Sequence, residues 1–461
     1  MKMIKTKIVC TIGPSSWDDN VLRRMIAAGM TVARINGAFA DIAELKRVGD
    51  QIRNISDDVA LMLDIKGHEV RLNKFAEDKK FNIGDKLTIG STDQDEIYPI
   101  TYPDLYKDVK TGDVLLFDDG NLEAKVIQIE GGKIICEIIS GEILSPGKSI
   151  NTPTTNLNNP PLTERDIEQI QFIKENNWDF VAASFVRKID DVKGIQDQLQ
   201  GSSIKIIAKI EDDEGVKNID EIIDEVYGIM IARGDMGVEM PFEKIPFIQK
   251  DIIKKCNKKG KPVITATQMM DSMIRNPKPT RAEILDVANA IIDGTDAIMT
   301  SAETTKGEYP AETIEAMARI ASEVESNVEP SLIESSKSNS FSESLTRAAF
   351  ELTNHSEIAG VVVVEATGRT SSLLGRYRIK QPIISFVSDE YSARSLSLSK
   401  GVVSEHIFSE KFEDRDLEVN SIKEEIMKLG IISAPSKILI IVDNVLIKGV
   451  YKNIFEIVEI N

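Results

Sequence analysis

The chain has 461 residues, 42% of them hydrophobic and 28% charged, which suits two or three packed domains and not a disordered polymer. Its 74 acidic and 56 basic side chains leave a formal net charge of -18, the wrong sign for a binder of nucleic acid or of an anionic membrane surface. An anionic substrate must therefore meet a local basic pocket.

The three cysteines, Cys10, Cys136 and Cys256, lie far apart with no CxxC pair, so neither a disulfide framework nor a zinc site is expected and a reducing cytoplasm fits. The opening MKMIKTKIVC interrupts its apolar residues with Lys5 and Lys7, and Pro14 follows, so it does not read as a secretory signal. Nowhere do about 18 apolar residues run together as a membrane span requires.

In chain order, three strand candidates come first: TKIVCTIG (Thr6 to Gly13), TVARIN (Thr31 to Asn36) and VALMLDIKG (Val59 to Gly67). Helices are predicted between them from near Asp18 and Asp41, where an aspartate can accept from the free amides of a first turn. From His68 to Pro153 the rhythm changes. Turn signals at Gly84-Asp85, Gly112-Asp113, Asp119-Gly120 and Gly131-Gly132 punctuate alternating runs such as LEAKVIQIE and KIICEIIS, which reads as an inserted all-β domain. After TPTTNLNNPP the strand-helix rhythm returns with FVAASF (Phe180 to Phe185), IKIIAKIE (Ile204 to Glu211), YGIMIARGD (Tyr227 to Asp235), KPVITATQ (Lys261 to Gln268) and DAIMTSAE (Asp296 to Glu303). Together these make the eight parallel strands of a closed (β/α)8 barrel, an architecture that places its chemistry at the C-terminal ends of the strands. The stretch from Pro330 to Ser340 reads as a linker, and VVVVEATG, PIISFVS and KILIIVDN beyond it predict a smaller C-terminal α/β domain. The domain limits are set at 1–67 with 154–330, 68–153, and 331–461.

Polar residues that close the barrel strands are expected to share one rim: Arg34, Asn36, Asp64, Lys66, Lys209, Glu211, Arg233, Asp235, Thr267 and Glu303. Lys209 and Glu211 stand two apart on one strand and so project to the same face. An ordinary ion pair is the commoner meaning of a single KxE, but at the end of a buried strand unneutralised charge is costly, which favours a functional site. Asp235 closes the next strand, and two carboxylates with substrate oxygens and water suit magnesium. The turn containing Gly234 and Gly237 either lets backbone amides approach an anion or simply needs glycine for positive φ. GEILSPGKS (Gly141 to Ser149) has one residue too many for a nucleotide P-loop and no helix after it. With only His68, His355 and His406 present, a histidine triad is not expected.

The blocks TKIVCTIGPSS, ARIN, LDIKGHEVR, DDG, FVAASFVRK, AKIEDDEG, GIMIARGDMGVEMP, VITATQMMDSMIRNPKPTRAE, DVANAIIDGTDAIM and KGEYP together resemble the pyruvate kinase family, over about the first 320 residues and, in layout, beyond. The resemblance implies phosphoryl transfer from phosphoenolpyruvate to ADP with Mg2+ or Mn2+, in a cytoplasmic homotetramer. It implies that Lys209 neutralises the moving phosphoryl group, that Glu211 and Asp235 hold the metal, and that Arg34 clamps the substrate phosphate. By the same resemblance Gly234 and Asp235 offer amides to the carboxylate, Thr267 lies beside the enolpyruvate carbon and serves its protonation, and Asn36, Arg71 and Lys148 contact the nucleotide. The inserted domain becomes a β-barrel lid and the C-terminal domain a regulatory and oligomerising one.

Departures from the family pattern carry their own expectations. Asn36, Asp64 and the carbonyl of Ile65 stand where the family binds potassium, but Ala38 replaces a hydroxyl ligand; Glu69 resembles potassium-dependent relatives, whereas Ile65 and Leu72 resemble independent ones. A weak or absent potassium requirement is the resulting expectation. Ala302 replaces a glycine next to Glu303. ATGRTSS (Ala366 to Ser372) resembles an effector-phosphate loop and reads equally as a helix cap. VDNVLIKGVYKN lacks the Gly-rich, Arg-bearing loop that grips sugar bisphosphates. Two rivals stand beside the kinase reading: a barrel aldolase or lyase with Lys209 as Schiff-base nucleophile, and a metabolite sensor that has lost turnover.

Overall fold

The computed structural model describes residues 4–91, 97–153, 155–333, 340–406, 415–447 and 450–460. Part of the Pro330 to Ser340 linker, residues 334–339, and part of VDNVLIKGVYKN, residues 448–449, lie outside these described residues.

Eight strands form the closed barrel: β1 (Lys7–Thr11), β2 (Met30–Asn36), β3 (Ala60–Ile65), β4 (Phe180–Ala183), β5 (Lys205–Ile210), β6 (Gly228–Ala232), β7 (Val263–Ala266) and β8 (Ala297–Thr300). Each pairs in parallel with its neighbours in sequence order, and β8 closes on β1 through Lys7↔Ala297 to Cys10↔Thr300. Both faces of these strands are covered, so they read as nearly continuous apolar runs and not as alternating ones. Their helices begin as the aspartates predicted. Asp18 accepts from the amides of Asn20 and Val21 at the start of α1 (Asp19–Ala28), and Asp41 accepts from Glu44 N at 2.8 Å at the start of α2 (Ile42–Ile55).

The barrel interior is filled by Val9, Val32, Met62, Phe180, Ile207, Met230, Ile264 and Met299. Leu398, from the C-terminal domain, is fully buried in the same cluster and closes the barrel floor. That domain is held beneath the barrel by ion pairs Arg394–Asp179 at 2.6 Å and Arg378–Asp296 at 2.7 Å, and by the Tyr227 hydroxyl donating to Ser395 O at 2.7 Å.

Between β3 and β4 the inserted residues form a curled six-stranded sheet in the order Ile150–Asn151, Val114–Phe117, Leu122–Glu130, Lys133–Ser140, Lys86–Gly90 and Tyr98–Pro99. Leu87, Leu115, Phe117, Val126, Ile134 and Cys136 make its own core. One helical turn, Leu105–Asp108, breaks the otherwise β pattern. The C-terminal sheet runs β11 (Val402–His406), β10 (Ile383–Val387), β9 (Gly360–Glu365), β12 (Ser436–Ile447) and β13 (Val450–Ile460), with only the last pair antiparallel.

Candidate active site

Four of the predicted rim residues form one contiguous charged cluster. Asp64, 2% exposed near the end of β3, accepts from Arg34 Nε at 2.7 Å and from Lys209 Nζ at 3.1 Å. Arg34, 7% exposed, also donates from Nη1 to Thr11 Oγ1 at 2.6 Å. The Lys209 ammonium donates to Ser184 Oγ at 2.7 Å and stands 3.0 Å from Glu211 Oε1. Glu211 Oε2 accepts from Phe185 N at 2.8 Å, a contact made because Phe185 turns to φ 55° just past β4.

The electrostatics follow from this packing. Burial pulls the Lys209 ammonium down, but Asp64, then Glu211 and Asp235, outweigh it and hold its pKa above the ordinary lysine value. Burial likewise raises Asp64, yet Arg34 and Lys209 win and hold it below the usual carboxylate range. Glu211 goes the other way: burial pushes it up, Asp235 adds to that, and Lys209 does not compensate fully. A carboxylate in that condition gains from a further cation. Asp235 is also raised, by the surrounding protein and by Asp64, Glu69 and Asp119, although its carboxylate is open to solvent. A lysine held in its charged form is a poor Schiff-base nucleophile, which counts against the aldolase reading.

Gly234 and Gly237 lie in a short helix, Arg233–Glu239, and neither takes positive φ, so the tight-turn explanation for these glycines fails. A side chain at 234 would instead fill the space 3.4 Å from Thr267 Oγ1. The positive φ belongs to Thr267 at 69° and Gln268 at 53°, a conformation that β-branched residues avoid and that concentrates at functional sites. Thr267 Oγ1 accepts from Gly234 N at 2.8 Å and donates to Ala266 O at 2.6 Å.

Other rim residues turn elsewhere. Arg233 forks onto Asp286 at 2.7 and 2.8 Å and donates to Thr267 O at 2.7 Å. Glu303 is buried and accepts from Ser301 N at 2.7 Å and Met270 N at 3.2 Å. Lys66 sits 3.8 Å from Glu69. Asn36 Oδ1 accepts from Ala38 N at 3.0 Å, and Ile65 O accepts from the Ser184 hydroxyl at 2.8 Å. In the inserted domain Arg71 donates to Glu69 at 2.7 Å and to Gly147 O at 2.8 Å, while Lys148 pairs with Asp118 at 2.8 Å. Thr11, Ser184 and Asp286 were not singled out from the sequence. Ser184 carried a signal nonetheless, as a hydroxyl ending the apolar run FVAAS.

A charged lysine caged by buried carboxylates and an arginine at the C-terminal rim of a parallel barrel defines an enzyme that handles a small anionic substrate. Family models then match both halves of the chain: the pyruvate kinase barrel domain over residues 3–314 and the pyruvate kinase alpha/beta domain over 343–458. The pyruvate kinase of Clostridium perfringens is 42% identical over 420 residues, 87% of this chain and 89% of that protein. That of Clostridium acetobutylicum is 40% identical over 446 residues, 93% of each. A crystal structure of a pyruvate kinase from Cryptosporidium parvum superposes with a TM-score of 0.90 at 32% identity, covering 99% of this chain and 96% of the other. The chain belongs to the pyruvate kinase family and is a phosphotransferase of that type.

Proposed function

We propose that Lys209 stabilises the phosphoryl group as it passes from phosphoenolpyruvate to ADP in glycolysis. The observation that carries this reading is the Lys209 ammonium fixed between Ser184, Asp64 and Glu211, charged and already oriented before substrate arrives. Arg34, held by Asp64 and Thr11, keeps further N–H donors for the substrate phosphate, which a lysine could not supply in the same plane. The amide of Asp235 and that of Gly234, which would exchange Thr267 Oγ1 for the substrate, take the carboxylate. Thr267 stands beside the enolpyruvate carbon and helps deliver its proton. Asn36 from the barrel and Arg71 and Lys148 from the inserted domain meet the nucleotide, the last two exchanging Glu69 and Asp118 for its phosphates. The inserted domain, 68–153, closes as a lid over the catalytic barrel of 1–67 and 154–330 and keeps water from the reacting phosphoryl group.

The donor set fits a hard divalent ion: Glu211, buried and under-compensated, with the solvent-facing Asp235. No cluster of three or more ligating side chains occurs among the described residues, so substrate oxygens must complete the shell. Magnesium, or manganese, supplies neutralisation of phosphoryl oxygens when bound. A lactate dehydrogenase-coupled assay tests the whole reading, since a chain that only senses metabolites releases no ADP-dependent pyruvate. Borohydride with pyruvate should leave Lys209 unmodified.

Potassium dependence should be weak or absent. Ala38 offers no hydroxyl, Asp64 is committed to Arg34 and Lys209, and Ile65 O already accepts from Ser184. Initial rates with tetramethylammonium in place of potassium should stay close to those with potassium, and their collapse would sink the idea.

The ATGRTSS loop serves as an internal cap and not as an effector site. Glu365 accepts from Thr370 N at 2.7 Å, from Ser371 N at 2.8 Å and from the Ser371 hydroxyl, while Asp443 accepts from the Thr370 hydroxyl. The amides and hydroxyls that would hold a phosphate already hold the chain's own carboxylates. Sugar phosphates should therefore leave the half-saturating phosphoenolpyruvate concentration unchanged in steady-state titrations, in place of the roughly 5- to 150-fold shift of an allosteric coupling.

Phe242 and Phe247 are 79% and 74% exposed, and they and the exposed Leu285 and Ile292 put large apolar side chains on the outside of the barrel, in keeping with a homotetramer. The C-terminal domain, 331–461, would take part in that assembly. No helix among the described residues is long and apolar enough to cross a membrane, and Cys10, Cys136 and Cys256 are buried free thiols, in keeping with a cytoplasmic enzyme.

A further inference from the structure

Directly after β7, Thr267 at φ 69° and Gln268 at φ 53° hold a backbone conformation that costs free energy and persists only where the surroundings over-determine it. What holds it here is Arg233, at the start of the helix Arg233–Glu239. Its Nε donates to Ala266 O at 3.2 Å and its Nη2 to Thr267 O at 2.7 Å, so one planar guanidinium grips the peptide on each side of Thr267. Those two peptide planes between them set the φ and ψ of the residue they flank. Ala266 O is also the acceptor of the Thr267 hydroxyl, at 2.6 Å, which ties the side chain to the same anchor.

The same guanidinium has no N–H left for a substrate. Nη1 and Nη2 fork onto Asp286 Oδ1 and Oδ2 at 2.7 and 2.8 Å, Nη2 also approaches Met269 Sδ at 2.8 Å, and Nη1 lies 3.4 Å from Gln249 Oε1. Asp286 is half-buried on the helix Arg281–Asp293 and orients the fork from behind. A pair that only joined two helices would need the carboxylate contacts alone. The two carbonyl contacts, made on either side of a threonine with positive φ, go beyond that.

We infer that Arg233, steadied by Asp286, is a positioning residue for the proton step of the reaction: it locks Thr267 in the conformation that presents its hydroxyl to the enolpyruvate carbon. The inference rests on the reading of Thr267 as the group that serves that carbon. A lysine at 233 keeps the charge, but a single ammonium cannot span two carbonyls and a carboxylate in one plane. Run in reverse, the step breaks a methyl C–H bond of pyruvate. The electron pair becomes the C=C bond of the enolate, the proton leaves through the Thr267 hydroxyl to water, and in D2O a deuteron returns by the same path.

Methyl exchange, followed by proton NMR on the full-length protein with magnesium, ATP and pyruvate in D2O, reads the proton step. Rapid-quench, single-turnover ATP formation from phosphoenolpyruvate and ADP reads phosphoryl transfer. Arg233→Lys should lose exchange by roughly tenfold to a hundredfold, the scale of a small displacement of a reacting group, and ATP formation far less. Asp286→Asn guards against an arginine variant that fails to fold, and should show the same one-sided loss at smaller size. The double variant should lose no more than Arg233→Lys, since both residues act through one threonine. Thr267→Val, which keeps the shape and removes the hydroxyl, should lose exchange most. Exchange at the parental rate in Thr267→Val would overturn the reading of Thr267 itself, and the inference with it. Exchange lost in Thr267→Val but intact in Arg233→Lys and Asp286→Asn overturns the inference alone. So does a loss in these two variants that falls equally on exchange and on ATP formation, which is what a merely structural ion pair would give.

Discussion

Replacing Lys209 with methionine should lower kcat by roughly a hundredfold to a thousandfold, the scale of losing one preorganised stabiliser of transition-state charge. The half-saturating concentration of phosphoenolpyruvate should move far less. The split follows from the proposed roles: Lys209, held by Ser184, Asp64 and Glu211, would act on the moving phosphoryl group, whereas Arg34 would grip the substrate phosphate through its remaining N–H groups. Methionine conserves most of the lysine stem, so the loss reports on charge and not on packing. It also removes the cation between Asp64 and Glu211, and magnesium should then be needed at a different concentration. Coupled-assay kinetics across a magnesium series read both effects. A variant that lost affinity for phosphoenolpyruvate but kept its turnover would show that Lys209 only binds.

Asp64→Ala should destabilise the barrel by roughly 3–5 kcal/mol and abolish most activity, because it leaves the buried Arg34 guanidinium without a counter-charge and the neighbouring Lys209 with Glu211 alone. Arg34 touches Asp64 Oδ2 at 2.6 and 2.7 Å and Lys209 approaches Oδ1 at 3.1 Å, so one carboxylate fixes both buried cations. Asp64→Asn keeps the shape and one acceptor, and should fall between the parent and the alanine variant. The dependence on pH has a definite sign. The folded-state pKa of Asp64 is lowered, so its contribution is complete above the unfolded-chain value of about 3.9 and disappears as pH falls through the lower folded value. Denaturant midpoints measured at neutral pH should show the full difference between the parent and the Asp64→Ala protein, and it should shrink in acid. A change within about 0.5 kcal/mol at neutral pH, the range of an inconsequential surface substitution, would remove Asp64 from this role.

The staves of the barrel were legible because a strand covered on both faces is written as an unbroken apolar run, and the polar residue ending each run marks the rim. The spacing of Lys209 and Glu211 was legible for a related reason, since alternate residues of a strand share a face. What the residues could not disclose were contacts set by the register between strands or by distant loops. Ser184 reaches Lys209 from the neighbouring strand, Thr11 reaches Arg34 across another, and Asp286 holds Arg233 from a helix 53 positions later. The glycine turn departs from expectation for a local reason. Gly234 and Gly237 are helical, and the unusual backbone falls on Thr267 and Gln268, where no residue type advertised it. In the C-terminal domain, ATGRTSS read equally as a cap or a phosphate loop because the inward turn of Glu365 onto its amides is a matter of conformation, and Asp443, which takes the Thr370 hydroxyl, lies 73 positions beyond it.

Leu398 gives the barrel a borrowed keystone. A complete set of staves still leaves an apolar opening at the end away from the substrate, and here it is stopped by a side chain that arrives nearly a hundred residues after the last stave. The catalytic unit is therefore not a self-sufficient folding unit: shortened before that residue, it would expose Val9, Met62, Phe180 and their neighbours to water. The same plug makes any tilt of the lower domain a change in the packing that supports every strand above it. Communication between the two ends of the molecule thus needs no chain of hinges, because a single aliphatic side chain already belongs to both.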